Sequence, residues 1–195
     1  MVDKYGTGQD PYSYEGTDIL INKFDIRDAT QLQEAERDFS EIAAMDIEFS
    51  EPPYDFSYWC SIHQLLFSDI YEWAGEARTI DISKGNTRFC AGRFIERESQ
   101  KLLGRVAKDN FLNGLSKEEL IPKLAEYYSE LNVIHPFRDG NGRAQRILFE
   151  HIIVNTGHTI SYELISKSDW VQANIDGYNG DYRALESIFN KCISD

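Results

Sequence analysis

Residues 116–157 read SKEELIPKLAEYYSELNVIHPFRDGNGRAQRILFEHIIVNTG. Ser116 followed three residues on by Glu119 is a capping box, and Leu120, Leu124, Tyr128 and Leu131 then recur at helical spacing. The pattern breaks at His135, passes through Gly140-Asn141-Gly142, and resumes with Ile147, Leu148, Ile152 and Ile153 until Gly157. Two helices joined by a short polar loop are therefore expected at the centre of the chain.

Helical patterning continues on both sides. Asp28 with Gln31 marks the start of a helix whose apolar face is expected to carry Leu32, Ala35, Phe39 and Ile42, ended by Pro52-Pro53. A second is expected from about Ser57 through Ile62, Leu65, Leu66 and Ile70, stopping before Gly75. A third runs from Phe94 to about Asn110 with Leu102, Leu103 and Val106 on one side, and the last span Trp170–Ile175 and Tyr182–Ile193. Between Arg78 and Phe89 the period changes to two: Ile80 and Ile82 alternate, Ser83-Lys84-Gly85-Asn86 supplies a turn, and Thr87-Arg88-Phe89 returns. The fold class is mainly α, with one short β-hairpin in 78–89. Gly6, Gly8, Pro11 and Gly16 make residues 1–27 an extended arm, and no repeat or linker divides the 195 residues, so one domain is expected.

Composition narrows the function. With 42% hydrophobic and 27% charged residues the chain is an ordinary globular one, and it has no apolar run long enough to span a membrane. Its first residues lack the apolar stretch of a secretory signal, so a cytoplasmic location is expected. A net charge of −13 repels nucleic-acid backbones and favours a basic protein partner. Cys60, Cys90 and Cys192 contain no CxxC pair and are expected as buried thiols. Tyr54, Tyr58, Trp59, Tyr71 and Trp73 either line a partner surface or, as their helical spacing favours, belong to the core.

The chemistry concentrates in HPFRDGNGRAQR, residues 135–146. A Gly-Asn-Gly turn at a helix start presents backbone N–H groups to an anion such as phosphate. Arg143 and Arg146 lie on one face of the first helical turns and suit neighbouring phosphates. Asp139 is a hard oxygen ligand suited to Mg²⁺, and His135 can accept a proton from a hydroxyl. Each feature alone is commonplace; together they describe a polyphosphate site with a base beside it.

That string resembles the Fic family (filamentation induced by cAMP), whose motif is HxFx[DE]GNGRxxR. His135, Phe137, Asp139, Gly140, Asn141, Gly142, Arg143 and Arg146 meet every defined position. The opening at Asp10–Ile19 and the segment Arg78–Phe89 are similar to the family too. The resemblance implies a protein adenylyltransferase that moves AMP from ATP to a target hydroxyl, a tyrosine foremost, and releases pyrophosphate. It implies that His135 is the base, Asp139 holds Mg²⁺, and Gly140, Asn141 and Gly142 cradle the phosphates. Arg143 would contact the β-phosphate and Arg146 the γ-phosphate. Phe137 would anchor the loop in the core. The hairpin would be a flap, with Lys84 and Gly85 near the nucleotide, aligning an extended target segment by main-chain pairing. Asn174 is an adenine candidate.

Many members carry an inhibitory [ST]xxxE[GN] helix. The one Glu followed by Gly or Asn here is Glu15-Gly16, and Pro11 stands four residues before Glu15, so the motif is not met. The chain looks closest to short bacterial members restrained by a separate small antitoxin, whose glutamate would reach Arg146. Members of this size modify DNA gyrase and topoisomerase IV, which makes these the expected targets by analogy. Two alternatives are a non-catalytic nucleotide-binding scaffold and a transferase of another phosphate-containing group. The family's phosphotransferase branch departs from GNGR, and this chain does not.

Overall fold

The computed structural model describes residues 10–194. Among them are seven α-helices: α1 (Ala29–Met45), α2 (Phe56–Phe67), α3 (Ile95–Lys108), α4 (Lys117–Ile134), α5 (Asn141–Asn155), α6 (Lys167–Tyr178) and α7 (Arg183–Cys192). Four two-residue strands complete the fold: β1 (Ser83–Lys84), β2 (Thr87–Arg88), β3 (Thr159–Ile160) and β4 (Ile193–Ser194).

Helix α4 is the hub, packed against α3, α5, α6 and α7. Its capping box forms in full, with the Ser116 hydroxyl accepting from Glu119 N and the Glu119 carboxylate from Ser116 N. Leu120, Leu124 and Leu131 are wholly buried, as are Leu148, Phe149 and Ile152 on α5. The α4–loop–α5 unit is thus two buried helices holding a short connection between them. Burying each such side chain is worth about 1.5–3 kcal/mol relative to exposure.

Several expectations are corrected. Helix α2 ends at Phe67 rather than running past Ile70: Ser68 caps it and Ile70 N turns back to Phe67 O at 3.0 Å, so Ile70 is buried from a turn; on the helix Trp59, Ile62, His63, Leu66 and Phe67 are buried and Leu65 is exposed. On α1 the buried line is Leu32 and Ser40, with Ile42 exposed. The hairpin is shorter than expected: Ser83 and Lys84 belong to β1 and pair with Arg88 and Thr87, so Gly85-Asn86 alone makes the turn. Gly85 has φ 56° and Asn86 has no positive φ, which fits a two-residue turn with glycine first. A second antiparallel pair, β3 with β4, was not foreseen; it closes the C-terminal end of α7 onto the segment after α5. Cys192 is buried, but Cys60 and Cys90 are only half-buried.

Within the arm, residues 1–9 lie outside the described part. From Asp10 onward it follows the domain, with Ser13 bridging Leu20 and the Asp10 carboxylate gripping the fully buried Arg138 side chain at 2.5 and 2.9 Å. Tyr54, Trp59 and Tyr71 are core residues, and Tyr58 and Trp73 pack against them. Among the described residues no helix is long and apolar enough to cross a membrane.

Candidate active site

His135 caps α4 in the left-handed region, φ 47° and ψ 63°. A non-glycine residue is held there only when its surroundings over-determine it, and Arg78 supplies much of that determination. Arg78 is buried, and among the described residues only backbone carbonyls accept from its guanidinium. Its Nε donates to His135 O at 2.9 Å, its Nη1 to Ile80 O at 2.5 Å, and its Nη2 to Cys90 O and Ile134 O at 2.6 and 3.2 Å. Its main-chain N–H donates to Pro136 O at 2.8 Å, and Cys90 N to Val133 O at 2.9 Å. One guanidinium therefore ties both ends of the hairpin segment to the start of the loop. Burial lowers its pKa to about 10, still well above neutrality.

The imidazole of His135 stacks on Phe89, ring centroids 3.8 Å apart and 13° from parallel. Its Nδ1 lies 3.2 Å from Asn132 O. A carbonyl only accepts, so Nδ1 carries the proton and the basic lone pair is on Nε2.

The next turn is fixed from within. Phe137 is fully buried between His63, which stacks on it at 3.8 Å, and Trp59, edge-on at 5.8 Å. The Asn141 amide closes a ring with Phe137, accepting from its N–H at 2.7 Å and donating to its carbonyl at 2.8 Å. The side chain of Asn141 thus holds the loop, which leaves its main-chain N–H as the group that can meet a phosphate. Gly140 has φ 73°, and a Cβ there would sit 2.4 Å from the Phe67 ring, so both conformation and space demand glycine.

His63 was not foreseen as a loop residue. Gly75 N donates to its Nδ1 at 2.9 Å, so Nε2 carries the hydrogen and donates to Asp139 O at 3.0 Å. Burial pushes its pKa down to about 4, keeping it neutral. A lone histidine on a helix gives no such signal in sequence; its place on the buried line of α2 was the available clue.

From this base α5 begins at Asn141. Arg143 N and Ala144 N already bond to Gly140 O, while the N–H groups of Asn141 and Gly142 have no acceptor among the described residues. With the helix dipole they form an anion-binding end. A cleft of about 410 Å³ opens beside them, lined by Asp139, Arg143, Lys84, Glu36, Tyr71 and Lys167, with Leu20 and Leu32 among its apolar residues. Asp139 Oδ1 accepts Gly140 N at 2.7 Å, which orients the carboxylate. Among the described residues no three His, Cys, Asp or Glu side chains cluster as a metal cage. A single carboxylate beside a phosphate-binding end fits Mg²⁺, which keeps waters and takes phosphate oxygens as its other ligands.

Of the residues expected from the sequence, Asp139, Arg143 and Lys84 line the cleft, with Gly140, Asn141 and Gly142 between the first two in the chain; His135 and Arg146 are not in its lining. Lys84 reaches the cleft from β1, while Gly85 is at the turn with open space around it. Arg146 lies one turn beyond Gly142, and among the described residues nothing hydrogen-bonds or ion-pairs with its guanidinium; its Nη1 would be 3.7 Å from a Cβ at Gly142. Asn174 is not in the cleft lining: its amide donates to Trp170 O at 2.8 Å, and its buried Oδ1 has no partner among the described residues. Lys167 was missed because α6 starts three residues before Trp170; the signal was Ser166 with Asp169, where the Ser166 hydroxyl accepts Asp169 N at 3.1 Å.

An α-helical hub, a clamped histidine and a glycine-bounded loop define a mainly helical domain with an anion-binding helix start. The sequence matches the Fic/DOC family over residues 53–153, and the chain belongs to that family. Over all 195 residues it is 40% identical to proteins named "Probable protein adenylyltransferase Fic" in Salmonella typhimurium and in Escherichia coli, covering 98% of each. Among solved structures, the BepC effector of Bartonella tribocorum with bound AMPPNP is 29% identical with a TM-score of 0.85, over 94% of this chain and 96% of that one. A Bartonella quintana Fic domain with bound ADP gives 0.86 at 29% identity, over 94% of each chain.

Proposed function

We propose that this protein transfers AMP from ATP to a side-chain hydroxyl, tyrosine foremost, of a target protein and releases pyrophosphate. The observation that carries the reading is the open helix end at Asn141–Gly142, flanked in one cleft by Asp139, Arg143 and Lys84. That arrangement receives a polyphosphate. The family's named adenylyltransferases and the nucleotides bound in its solved members support ATP as the donor.

In this reading the N–H groups of Asn141 and Gly142 receive phosphate oxygens, Arg143 the β-phosphate and Arg146 the γ-phosphate. His135 Nε2 takes the proton of the incoming hydroxyl as its oxygen bonds to the α-phosphorus and the bond to the β-phosphate bridging oxygen breaks. Asp139 would hold Mg²⁺, which neutralises phosphate charge when bound. The segment from Ile80 to Cys90, held next to His135 by Arg78, would align an extended target strand beside the base. Type II topoisomerases are the target class that the resemblance favours. The guanidinium of Arg146, unpaired among the described residues, suits the carboxylate of a small inhibitory partner, which would compete there with the γ-phosphate.

The test is to incubate the protein with cell lysate and ATP labelled in either the α- or the γ-phosphate. Label should enter protein from the α-position alone, and His135→Ala should lower transfer by at least about 10²–10⁴-fold while still binding nucleotide. Label from the γ-position would mean phosphate transfer, and none from either would leave a nucleotide-binding scaffold.

A further inference from the structure

Arg143 does not point into the cleft unaided. Its Nη1 donates to Ser40 Oγ at 2.9 Å and to Glu36 O at 3.3 Å, and its Nη2 donates to the Glu36 carboxylate. The guanidinium also lies over the Phe67 ring, 4.6 Å from its centroid. The other Glu36 oxygen accepts the Tyr71 hydroxyl at 2.6 Å, and the Ser40 hydroxyl in turn donates to Arg37 O at 3.0 Å. Glu36 and Ser40 are one turn apart on α1, on the line that Leu32 begins, so a single helix face delivers all three acceptors.

The donors can be counted. A guanidinium has five N–H groups in a fixed plane. Three are taken by Ser40 and Glu36, all from the two terminal nitrogens. Nε–H donates to none of these acceptors, and with one hydrogen of Nη2 it makes up the side edge of the guanidinium. That edge is the fork that matches two oxygens of a phosphate. Glu36, which with Ser40 holds the terminal nitrogens, lines the same cleft as Asp139.

We propose that Glu36 is a positioning residue for nucleotide binding: held by Tyr71, it fixes the Arg143 guanidinium so that its Nε–Nη2 edge faces the polyphosphate. The proposal rests on the nucleotide reading of this cleft and gives a function to a carboxylate outside the 135–146 motif. A negative group beside a phosphate site is otherwise unfavourable. Here its charge is matched by Arg143, and the arrangement is set before the ligand arrives, so less ordering is lost on binding.

Titrating the purified full chain with a non-hydrolysable ATP analogue and Mg²⁺ tests this without requiring turnover. Glu36→Ala should weaken analogue binding about tenfold, the loss of roughly one charge-assisted contact. Glu36→Gln, which keeps an acceptor for Arg143 and an amide for Tyr71, should stay within about threefold of the unaltered protein. Should Glu36→Ala fail to fold, Ser40→Ala carries the test, with an expected two- to fivefold loss on the same scale, roughly. Unchanged affinity with a lowered melting temperature would make the network merely structural and overturn the proposal. Tighter binding would do so too, because it would make Glu36 a competitor for Arg143. An unaltered protein that binds the analogue yet transfers no AMP would strike the reaction proposed above and leave the positioning intact.

Discussion

The loop from His135 to Asn141 and the hairpin that turns at Gly85-Asn86 each give the cleft one lining residue, Asp139 and Lys84, but are held in opposite ways. The loop is over-determined: Arg78 grips its first carbonyls, Asn141 closes it on Phe137, His63 holds Asp139 O, and Phe67 fills the space against Gly140. The hairpin has two residues per strand, and nothing lies within 4 Å of a Cβ built at Gly85. A chemical step needs groups fixed to a fraction of an ångström, whereas admitting a nucleotide and a protein segment needs an element that opens cheaply. In the function proposed above the loop is the rigid floor and the hairpin the light cover, a division that follows from where buried contacts were placed.

The largest effect expected from attacking this contrast is at Arg78, which belongs to both regions. Arg78→Met keeps the apolar stem but leaves several buried carbonyls without a donor, at about 1–3 kcal/mol each. Urea denaturation should show a loss of 4 kcal/mol or more, roughly. A loss under about 1 kcal/mol would mean that water replaces the guanidinium and that the clamp is incidental.

Gly140→Ala comes next. It adds strain at positive φ and a methyl group against Phe67, together about 3 kcal/mol. The damage lies in the floor, so a nucleotide analogue should bind more weakly as the denaturation midpoint falls. Binding that survives a large loss of stability would show that the anion-binding helix end does not depend on this turn.

His63 gives the contrast a pH dependence. Its folded pKa, lowered by burial to about 4 from an ordinary 6.5, means that the unfolded chain takes up a proton more readily between those values. Its contribution to stability is therefore complete above about pH 6.5 and is lost as pH falls towards 4. From pH 7 to pH 5 the loss is about 2 kcal/mol. Protonation would also set a new N–H against Gly75 N, the donor that Nδ1 now accepts. In His63→Gln that portion of the pH dependence should vanish, and identical pH slopes for the two proteins would remove histidine from the account.

How far these features could be read in sequence depends on whether they are local. The α4–loop–α5 unit was legible because a capping box, a 3.6-residue period and a glycine turn are each encoded within a few residues. The contacts of Arg78, His63 and Glu36 were not, because each joins segments far apart: Arg78 to His135, His63 to Asp139, Glu36 to Arg143. Spacing along a helix marks which side is buried, but it does not say what a polar residue on that side will meet. Ser40 shows the difference, since the line it shares with Leu32 turned out to be the buried one, in place of the more apolar line through Ile42.

The smallest expected effect is the most discriminating for the cover. Gly85→Ala places a methyl group in open space, so its cost is confined to φ 56° and amounts to about 1 kcal/mol. A two-strand hairpin of this length is marginal by itself, and strain at its turn should be relieved by local opening. Hydrogen exchange of the Phe89 amide, which donates to Ile82 O at 3.3 Å, should therefore quicken several-fold, while the amides of α4 and the denaturation midpoint stay within error. If exchange in α4 quickened equally, hairpin and floor would open as one unit, and the cover could not admit a ligand without disturbing His135.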